Sequence, residues 1–592
     1  MQSRGRYHGR MESAPASPSN LPQTAPRLWK RWGIEAMLAG FVALLFAPTL
    51  RYGFVYDDRV VILENPYIQS WRWFLHDFTS HVWAQVSSQP ASYYRPVFIT
   101  WLRLNHTLFG FQPWGWHLTT VLAHVVATLL VYRLALRLLR SPWQAAIAAL
   151  IFAVHPVHVE NVAWVCGSVD PLMSIFYLGA ILSYLRWREQ HSPVALAVSV
   201  LLALTATLTK EIAITLPAVI FAYAALFSPA EAGWGKRFLA AARDTVPFVL
   251  VAAAYMAARS VVLHGPIFAE ISLATVLLTL PGLLLFYARL TVWPVNLSLF
   301  YNRAPVQSFS AQRVLLPLLV LALIAAGLFM WLRRSKQRRE GLFALVLALL
   351  ALSPPLYIRL FNPDDFVHDR YLYLSMAGVA MLAAMAITSI RGVKDGKSFA
   401  PLPQVLVVAA ITLALSLGTT MTNGNWRDDL SLWGHCFKVA PHNVRVLNNL
   451  ASSLGESGAY QVAVPMFLEV LKRDPSNARA NANLGYTLYQ AGALEQAEKY
   501  LSKAVLLNAS DAHSWLYLGV THLKLGATAE AESDLRQAIT IDPSATGAHL
   551  ALSVVLEQRG DRAGAIAESQ EELRYHPEEQ SVQQRLQQLQ AK

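Results

Sequence analysis

The chain is poor in cysteine and poor in charge. Two cysteines, Cys166 and Cys436, occur in 592 residues, which excludes a disulfide framework or a zinc site built on cysteine pairs. Charged residues make up 15% of the chain and hydrophobic ones 54%, whereas soluble domains are about a quarter charged. Such a chain is membrane-embedded or insoluble. The net charge is +12, yet the basic residues come in short runs between apolar segments, and the last quarter of the chain is slightly acidic. That argues against nucleic-acid binding, which needs a basic stripe along one folded face. No small-residue cleavage site precedes "RYGFVYDD", so the first apolar run reads as an uncleaved anchor rather than a signal peptide.

What is present is a long series of apolar runs. Residues 1–33, with Arg4, Arg6, Arg10, Arg27, Lys30 and Arg31 among Ser and Pro, are expected to form a disordered basic cytoplasmic tail. Eleven segments then approach the roughly 20 residues that span a bilayer. They lie near 34–51, 115–136, 142–158, 168–186, 193–209, 211–229, 245–265, 312–332, 341–360, 371–391 and 402–421. With the N-terminus inside, "RLALRLLR", "LRWREQ", "GWGKRF", "RRSKQRR" and "RGVKDGK" all fall inside, as the positive-inside rule asks. The loops carrying Asp57, "HPVHVENVAW", "KE" and "NPDDFVHDR" then share the outer face. A twelfth apolar segment, 271–293, would put "RRSKQRR" outside if it crossed, so it is assigned as a re-entrant or interfacial helix.

Beyond 421 the period changes. A connecting helix is expected over 422–443. From Val444 to 579 the sequence falls into four blocks of 34 residues, the tetratricopeptide (TPR) period. Ala463, Ala497, Ala531 and Ala565 recur at the twentieth position, where two helices cross closely. Gly458, Gly492, Gly526 and Gly560 recur at the fifteenth, at the turn between helices. Residues 580–592 supply a polar-faced capping helix, as a solenoid end requires. The fold class is therefore all-α: a polytopic membrane bundle of about eleven transmembrane helices over 34–421, followed by a TPR solenoid on the outer side. The concave face of such a solenoid suits a protein or peptide partner; the bland reading is a structural or dimerising array.

Ionisable residues recur at the outer ends of the spans. Asp57 and Asp58 follow the first one, and Arg95 lies in "SYYRPV" of the first outer loop, 52–114. His155, His158 and Glu160 end the third, and Asp170 opens the fourth. Lys210 and Glu211 lie between the fifth and sixth, and Asp364, Asp365, His368, Asp369 and Arg370 precede the tenth. Such residues at membrane ends are functional candidates by default, and each has a plain reading too. Asp57 and Asp58 could be a solvated or helix-capping pair, Lys210 and Glu211 a turn ion pair. His155 and His158 could bind a metal or make helix-end hydrogen bonds. The loop aromatics Trp71, Trp73, Phe74, Trp83, Tyr93 and Tyr94 suit the headgroup layer or sugar stacking equally. Taken together, carboxylates can serve as general base toward a hydroxyl, and a buried cation can hold a phosphate leaving group. That points to group transfer from a polyprenyl phosphate to a protein hydroxyl.

The ordered set "FVYDD", "YYRPV", "HPVHVENVAWVCGSVD", "LTKE", "DRYLYL" and then TPRs resembles the transmembrane-and-TPR (TMTC) O-mannosyltransferases and their bacterial relatives, within the GT-C superfamily of polytopic, lipid-donor glycosyltransferases. The resemblance runs from about residue 34 to the end of the chain. It implies an inverting transferase of GT-C architecture moving mannose to Ser or Thr. An acid of the first outer loop, Asp57 or Asp58, would be the base, and Arg370 and Lys210 would hold the donor phosphate. Where the family usually reads Glu-Arg, this chain has Asp369-Arg370. Arg95, His155, His158, Glu160, Asp170, Glu211 and Asp369 fall at supporting positions. No metal ligand set and no cofactor is implied beyond the lipid-linked substrate, with a divalent metal left open, since an acid pair alone supplies too few oxygen ligands. The expected partners are the lipid donor, membrane lipids and a protein acceptor. The expected location is a bacterial inner membrane with the TPRs periplasmic, or an endoplasmic reticulum membrane with the TPRs lumenal. The alternatives are a non-catalytic TPR scaffold for an envelope or secretory complex, and a GT-C transferase acting on a lipid or polysaccharide.

Overall fold

A computed structural model describes residues 28–84, 93–228, 233–263, 271–390, 401–577 and 579–591. The described residues are helical and contain no strand. The expected N-terminal tail lies outside the described residues up to 27, as does "RGVKDGK"; from Leu28 the chain is already helical. Seven described helices are long and apolar enough to cross a membrane, or eight if one bent pair counts as a span. Three shorter apolar helices accompany them, Pro193–Thr209, Glu211–Leu226 and Ser375–Thr388.

The bent pair corrects the expected third segment, 142–158. Helix Pro142–Val154 stops, and Pro156–Ala163 continues at 52°. The cause is local. A residue preceding proline is pushed out of the helical region, and His155, before Pro156, takes φ −71° and ψ 127°. The break carries the "HPVHVENVAW" motif into the protein interior.

The last membrane helix, Leu402–Asn423, returns to the face where the first one ends. The Gly53 N–H donates to the Arg427 carbonyl at 3.2 Å, and the Tyr56 N–H donates to Asp429 at 2.9 Å. The described helices between them include Pro113–Leu139, Pro142–Val154, Val169–Gln190, Pro193–Thr209, Leu216–Leu226, Trp234–Val262, Leu273–Val292, Leu316–Arg334, Arg338–Leu352 and Ser375–Thr388. Leu273–Val292 is long and apolar enough to cross. The helix before it brings its C-terminal half to this face, where the Tyr255 hydroxyl donates to the Tyr94 carbonyl at 3.1 Å. Its own C-terminal end is there too, with the Thr291 carbonyl 3.3 Å from His155 Nε2.

A second apolar core lies at this end of the bundle. It joins Val55, Val61 and Ile62 of the first loop to Trp116, Val162 and Trp164. It also takes in Trp433 of helix Asp429–Val439 and Val446 and Leu450 of the first TPR helix, Val444–Glu456. The solenoid thus shares its beginning with the loop that holds Asp57. Along the solenoid Ala463, Ala497, Ala531 and Ala565 are fully buried, and Gly458, Gly492, Gly526 and Gly560 take φ between 80° and 83°, a region that side chains beyond glycine rarely enter. Helix Gln580–Ala591 closes the array on Val582 and Leu589.

The loop between the first membrane helix and Pro96–Phe109 is pinned by one buried ion pair. Arg103, on helix Pro96–Phe109, is fully buried. Its guanidinium grips Asp77 with both amino nitrogens and also donates to the carbonyls of Ser70 (3.0 Å) and Tyr67 (3.2 Å). Removing one partner of a buried pair strands the other charge, so Arg103→Met is expected to lower stability by about 3–5 kcal/mol. Denaturant unfolding in detergent checks this; Arg103→Met with Asp77→Leu should recover most of the loss.

Candidate functional site

The two acids of "FVYDD" have different surroundings. Asp58 is fully buried and accepts from the Cys166 N–H at 2.8 Å and the Val55 N–H at 3.3 Å. It ties the first loop to the 3-10 turn Cys166–Ser168. Asp57 is half-buried, and no described residue hydrogen-bonds its carboxylate. Burial pushes the Asp57 carboxyl up to about 7, with the positive charge of Arg370 pulling the other way and Asp58 and Asp365 adding to the rise. Asp57 is thus the acid with oxygens free for a substrate.

The backbone before it is held in an unusual shape. Tyr56 has φ +54°, a left-handed conformation costing roughly 1–2 kcal/mol outside glycine. Its N–H is taken by Asp429 (2.9 Å), and its ring packs against Trp433 (5.3 Å between centroids) and Trp164 (5.8 Å). Asp429 also pairs with Arg59 at 2.8 Å, and Arg59 reaches Glu456 of the first TPR helix at 2.9 Å. Arg59, which flanks the acids in sequence, therefore faces the C-terminal region rather than Asp57.

The basic candidates converge around one tyrosine. Arg370 and Lys210 lie 5.4 Å and 5.8 Å from the Tyr371 ring, and Arg370 is 5.5 Å from the Trp164 ring. The Arg370 guanidinium pairs with Glu160, whose other oxygen accepts the Arg370 N–H at 3.0 Å. Burial opposes the Arg370 charge, but Glu160 outweighs it and holds the guanidinium firmly protonated. Lys210 and Glu211 do not pair with each other. Lys210 bonds Asp170 at 2.6 Å, both nearly fully buried, while Glu211 takes a two-point contact from Arg95 at 2.9 and 2.5 Å. Neighbouring side chains in an extended turn point apart, which the sequence pair conceals. Asn161 donates to the far oxygen of Asp170 at 3.0 Å.

Three supporting candidates are drawn elsewhere. Asp369 does not pair with Arg370; it accepts from the Tyr301 hydroxyl (2.5 Å) and the Ser298 N–H (3.0 Å), anchoring the segment after helix Leu273–Val292. His155 accepts the Val157 N–H at 3.4 Å, a helix-end bond at the bend. The His158 ring lies 6.3 Å from that of His155 and packs against Phe152 (4.5 Å) and Tyr373 (4.6 Å), so the two rings face different surroundings. Neither nitrogen of His158 has a partner among the described residues.

Asp365 and His368, noted in the sequence without a role, and Trp164 and Asp429, not selected there, also take part. Asp365 bridges His368 (3.1 Å) and Arg445 of the first TPR helix (3.0 Å). Burial works against its charge, but His368 and Arg445 hold the carboxyl down at about 2. Trp164 stacks on Trp426 (6.0 Å) with its indole N–H unpartnered among the described residues. The "RDD" that holds Asp429, directly after the last membrane segment on the same face, was the available signal for that residue.

Chemically, one region offers a free carboxylate with a raised affinity for protons, two fixed cations and flanking indole and phenol rings. Comparison with known proteins bears on this region. Residues 94–287 match the family model described as dolichyl-phosphate-mannose-protein mannosyltransferase, and 448–514, 494–546 and 518–579 match tetratricopeptide repeats. The chain is 28% identical over 432 residues to protein O-mannosyl-transferase F38B6.6 of Caenorhabditis elegans, covering 71% of this chain and 60% of that protein. It is 25% identical over 470 residues to protein O-mannosyl-transferase TMTC3 of Mus musculus, covering 73% and 50%. It therefore spans between half and two thirds of the length of these relatives. Among solved structures, MamA resembles 28% of this chain at 20% identity, with 96% of MamA covered and a TM-score of 0.24.

Proposed function

Because the chain is a TMTC-like member of the GT-C O-mannosyltransferase family, we propose that it transfers a mannosyl group from a polyprenyl-phosphate donor to a Ser or Thr hydroxyl of a protein. The observation that carries the reading is Asp57, a half-buried carboxylate without a hydrogen bond among the described residues, in the field of an ion-paired arginine. The catalytic face is non-cytoplasmic, in the periplasm or the reticulum lumen.

The donor enters sideways from the leaflet. Its phosphate lies against Arg370 and Lys210, where cations stabilise the charge that gathers as the leaving group departs. Asp57 accepts the proton of the acceptor hydroxyl. The hydroxyl oxygen attacks the anomeric carbon from the opposite face, forming the new C–O bond. The old bond to phosphate oxygen breaks, and its electron pair leaves with the polyprenyl phosphate. One displacement inverts the configuration.

A base must be ionised to act. With the Asp57 carboxyl near 7, kcat/KM is expected to climb with pH through about 7 and to fall roughly tenfold per unit below it. A pH–rate profile checks this; a flat profile between pH 5 and 8 on the order of the wild-type rate sinks Asp57 as base.

A scaffold has no use for the Lys210–Asp170 and Arg370–Glu160 pairs, whose burial is costly and which leave a free carboxylate beside them. The deciding assay mixes the purified protein in lipid nanodiscs with radiolabelled mannosyl-phosphoryl-polyprenol and a Ser/Thr-rich peptide. Label is expected in the peptide with an inverted anomeric centre. Label entering only lipid or polysaccharide overturns the acceptor assignment, and none entering anything favours the scaffold.

A further inference from the structure

We propose that Trp164 reads the sugar of the donor, its indole N–H donating to one hydroxyl of the transferred hexose. This rests on the donor being a lipid-linked sugar. Trp164 ends the short helix Val159–Ala163, where the backbone turns extended at φ −95° and ψ 126°. It is 5% exposed, and its N–H is shielded from water and has no partner among the described residues. Buried donors in folded proteins are paired as a rule, so an open one inside a candidate site calls for a ligand group. The indole can only donate, so what completes it is an oxygen lone pair.

The ring stands where a sugar must lie. In a single displacement the anomeric carbon is held between the base and the phosphate, and Trp164 borders both ends of that interval. Its ring is 5.8 Å from that of Tyr56, the residue before Asp57, and the Arg370 guanidinium lies 5.5 Å from it. Glu160, which pairs with Arg370, belongs to the same short helix. Trp164 is also held still. Trp426 stacks on it at 6.0 Å and 22°. Gly167 backs onto its edge, where a Cβ would meet Cε3 at 3.2 Å and press into the Glu160 carbonyl. That glycine lies in the turn whose Cys166 N–H holds Asp58. A donor group fixed in this way needs no reorganisation when the sugar arrives.

A lipid-linked sugar offers three kinds of acceptor oxygen: phosphate, ring oxygen and hydroxyl. The phosphate oxygens are matched by the cations Arg370 and Lys210, which converge on Tyr371. The ring oxygen gains positive character as the bond to phosphate lengthens, so an N–H aimed at it would oppose the reaction. A hydroxyl remains. A sugar that lacks this hydroxyl leaves the buried N–H open, which is how a site built to bond a hydroxyl rejects the deoxy analogue. Bare polyprenyl phosphate, by contrast, gains nothing from Trp164.

The test uses the full chain in nanodiscs, with Trp164 replaced by benzothienylalanine through amber suppression. That bicycle keeps its shape and its stacking on Trp426, and sulfur stands where the N–H was. Affinities are read by competition against a fluorescent polyprenyl phosphate. The variant is expected to bind mannosyl-phosphoryl-polyprenol about tenfold more weakly, and bare polyprenyl phosphate as wild type does. Among monodeoxy mannosyl donors, each lacking a different hydroxyl, one should bind both proteins alike. The unliganded variant should melt no lower than wild type, because it loses an unpaired group. Trp164→Phe should show the same sugar selectivity at a lower melting point. Equal binding of the mannosyl donor by both proteins overturns the proposal. So does an equal weakening of bare polyprenyl phosphate, or a difference that every monodeoxy donor keeps. Binding as expected without mannosyl transfer would leave this inference standing and remove the proposed chemistry. Mannosyl transfer with the isostere matching wild type on every lipid would do the reverse.

Discussion

Asp57→Asn is expected to lower kcat by about 10² to 10⁴-fold while leaving donor affinity close to wild type. The amide keeps the shape of the side chain and loses only the ability to take a proton. No described residue leans on the Asp57 carboxylate for a hydrogen bond, so the fold should tolerate the change. The adjacent acid is the internal control, because the two carboxylates do different jobs. Asp58→Asn retains an oxygen for one of the Cys166 and Val55 N–H groups, which bond to different carboxylate oxygens, and should keep substantial turnover with a modest loss of stability. Asp58→Ala strands both donors in a buried site, at about 1–3 kcal/mol each, and should show as a lower unfolding midpoint. Single-turnover rates with labelled donor, alongside thermal melts, separate the two. If Asp58→Asn abolishes chemistry in a well-folded protein and Asp57→Asn does not, the assignment is reversed.

Arg370→Gln is expected to cost about 10² to 10³-fold in kcat, the scale seen when a donor aimed at developing charge is lost. The substitution also leaves the nearly buried Glu160 carboxylate without its guanidinium, so the melting point must be followed too. Arg370→Lys keeps a positive charge but not the planar fork that grips a phosphate or carboxylate at two points, and its rate should fall between wild type and Gln. A structural role alone would make both variants fail in proportion to their stability. A transition-state role makes kcat follow the charge at matched stability. Arg370→Gln with wild-type kcat in a folded protein would remove it from the phosphate site.

The parts legible in the sequence are those written in a period or a short motif. The 34-residue spacing foretold the turns at Gly458 and its repeats, because one backbone conformation admits little besides glycine. The apolar lengths and basic runs foretold the helical bundle and one shared face for the ionisable junctions. Partners across the bundle were not legible. Lys210 and Glu211 are neighbours in sequence yet bond Asp170 and Arg95, which come from other helices. Asp369 and Arg370 part in the same way, to Tyr301 and Glu160. Which of Asp57 and Asp58 stays free depends on the Cys166 N–H, over a hundred residues away. Pairing is set by where helix ends meet in three dimensions, and local sequence does not encode that.

Tyr56 has a consequence for timing. Its left-handed backbone is unfavourable by itself and is met by the Asp429 carboxylate and the Trp433 ring. Both are translated some 370 residues later, after the last membrane helix. During synthesis the loop bearing Asp57 is made early, along with the Cys166 turn and the Arg103–Asp77 pair that hold parts of it, but before the two groups that meet Tyr56. A ribosome-bound chain can have all its earlier membrane helices made and still lack this brace beside Asp57. The backbone at Tyr56 is therefore fully braced only near the end of translation.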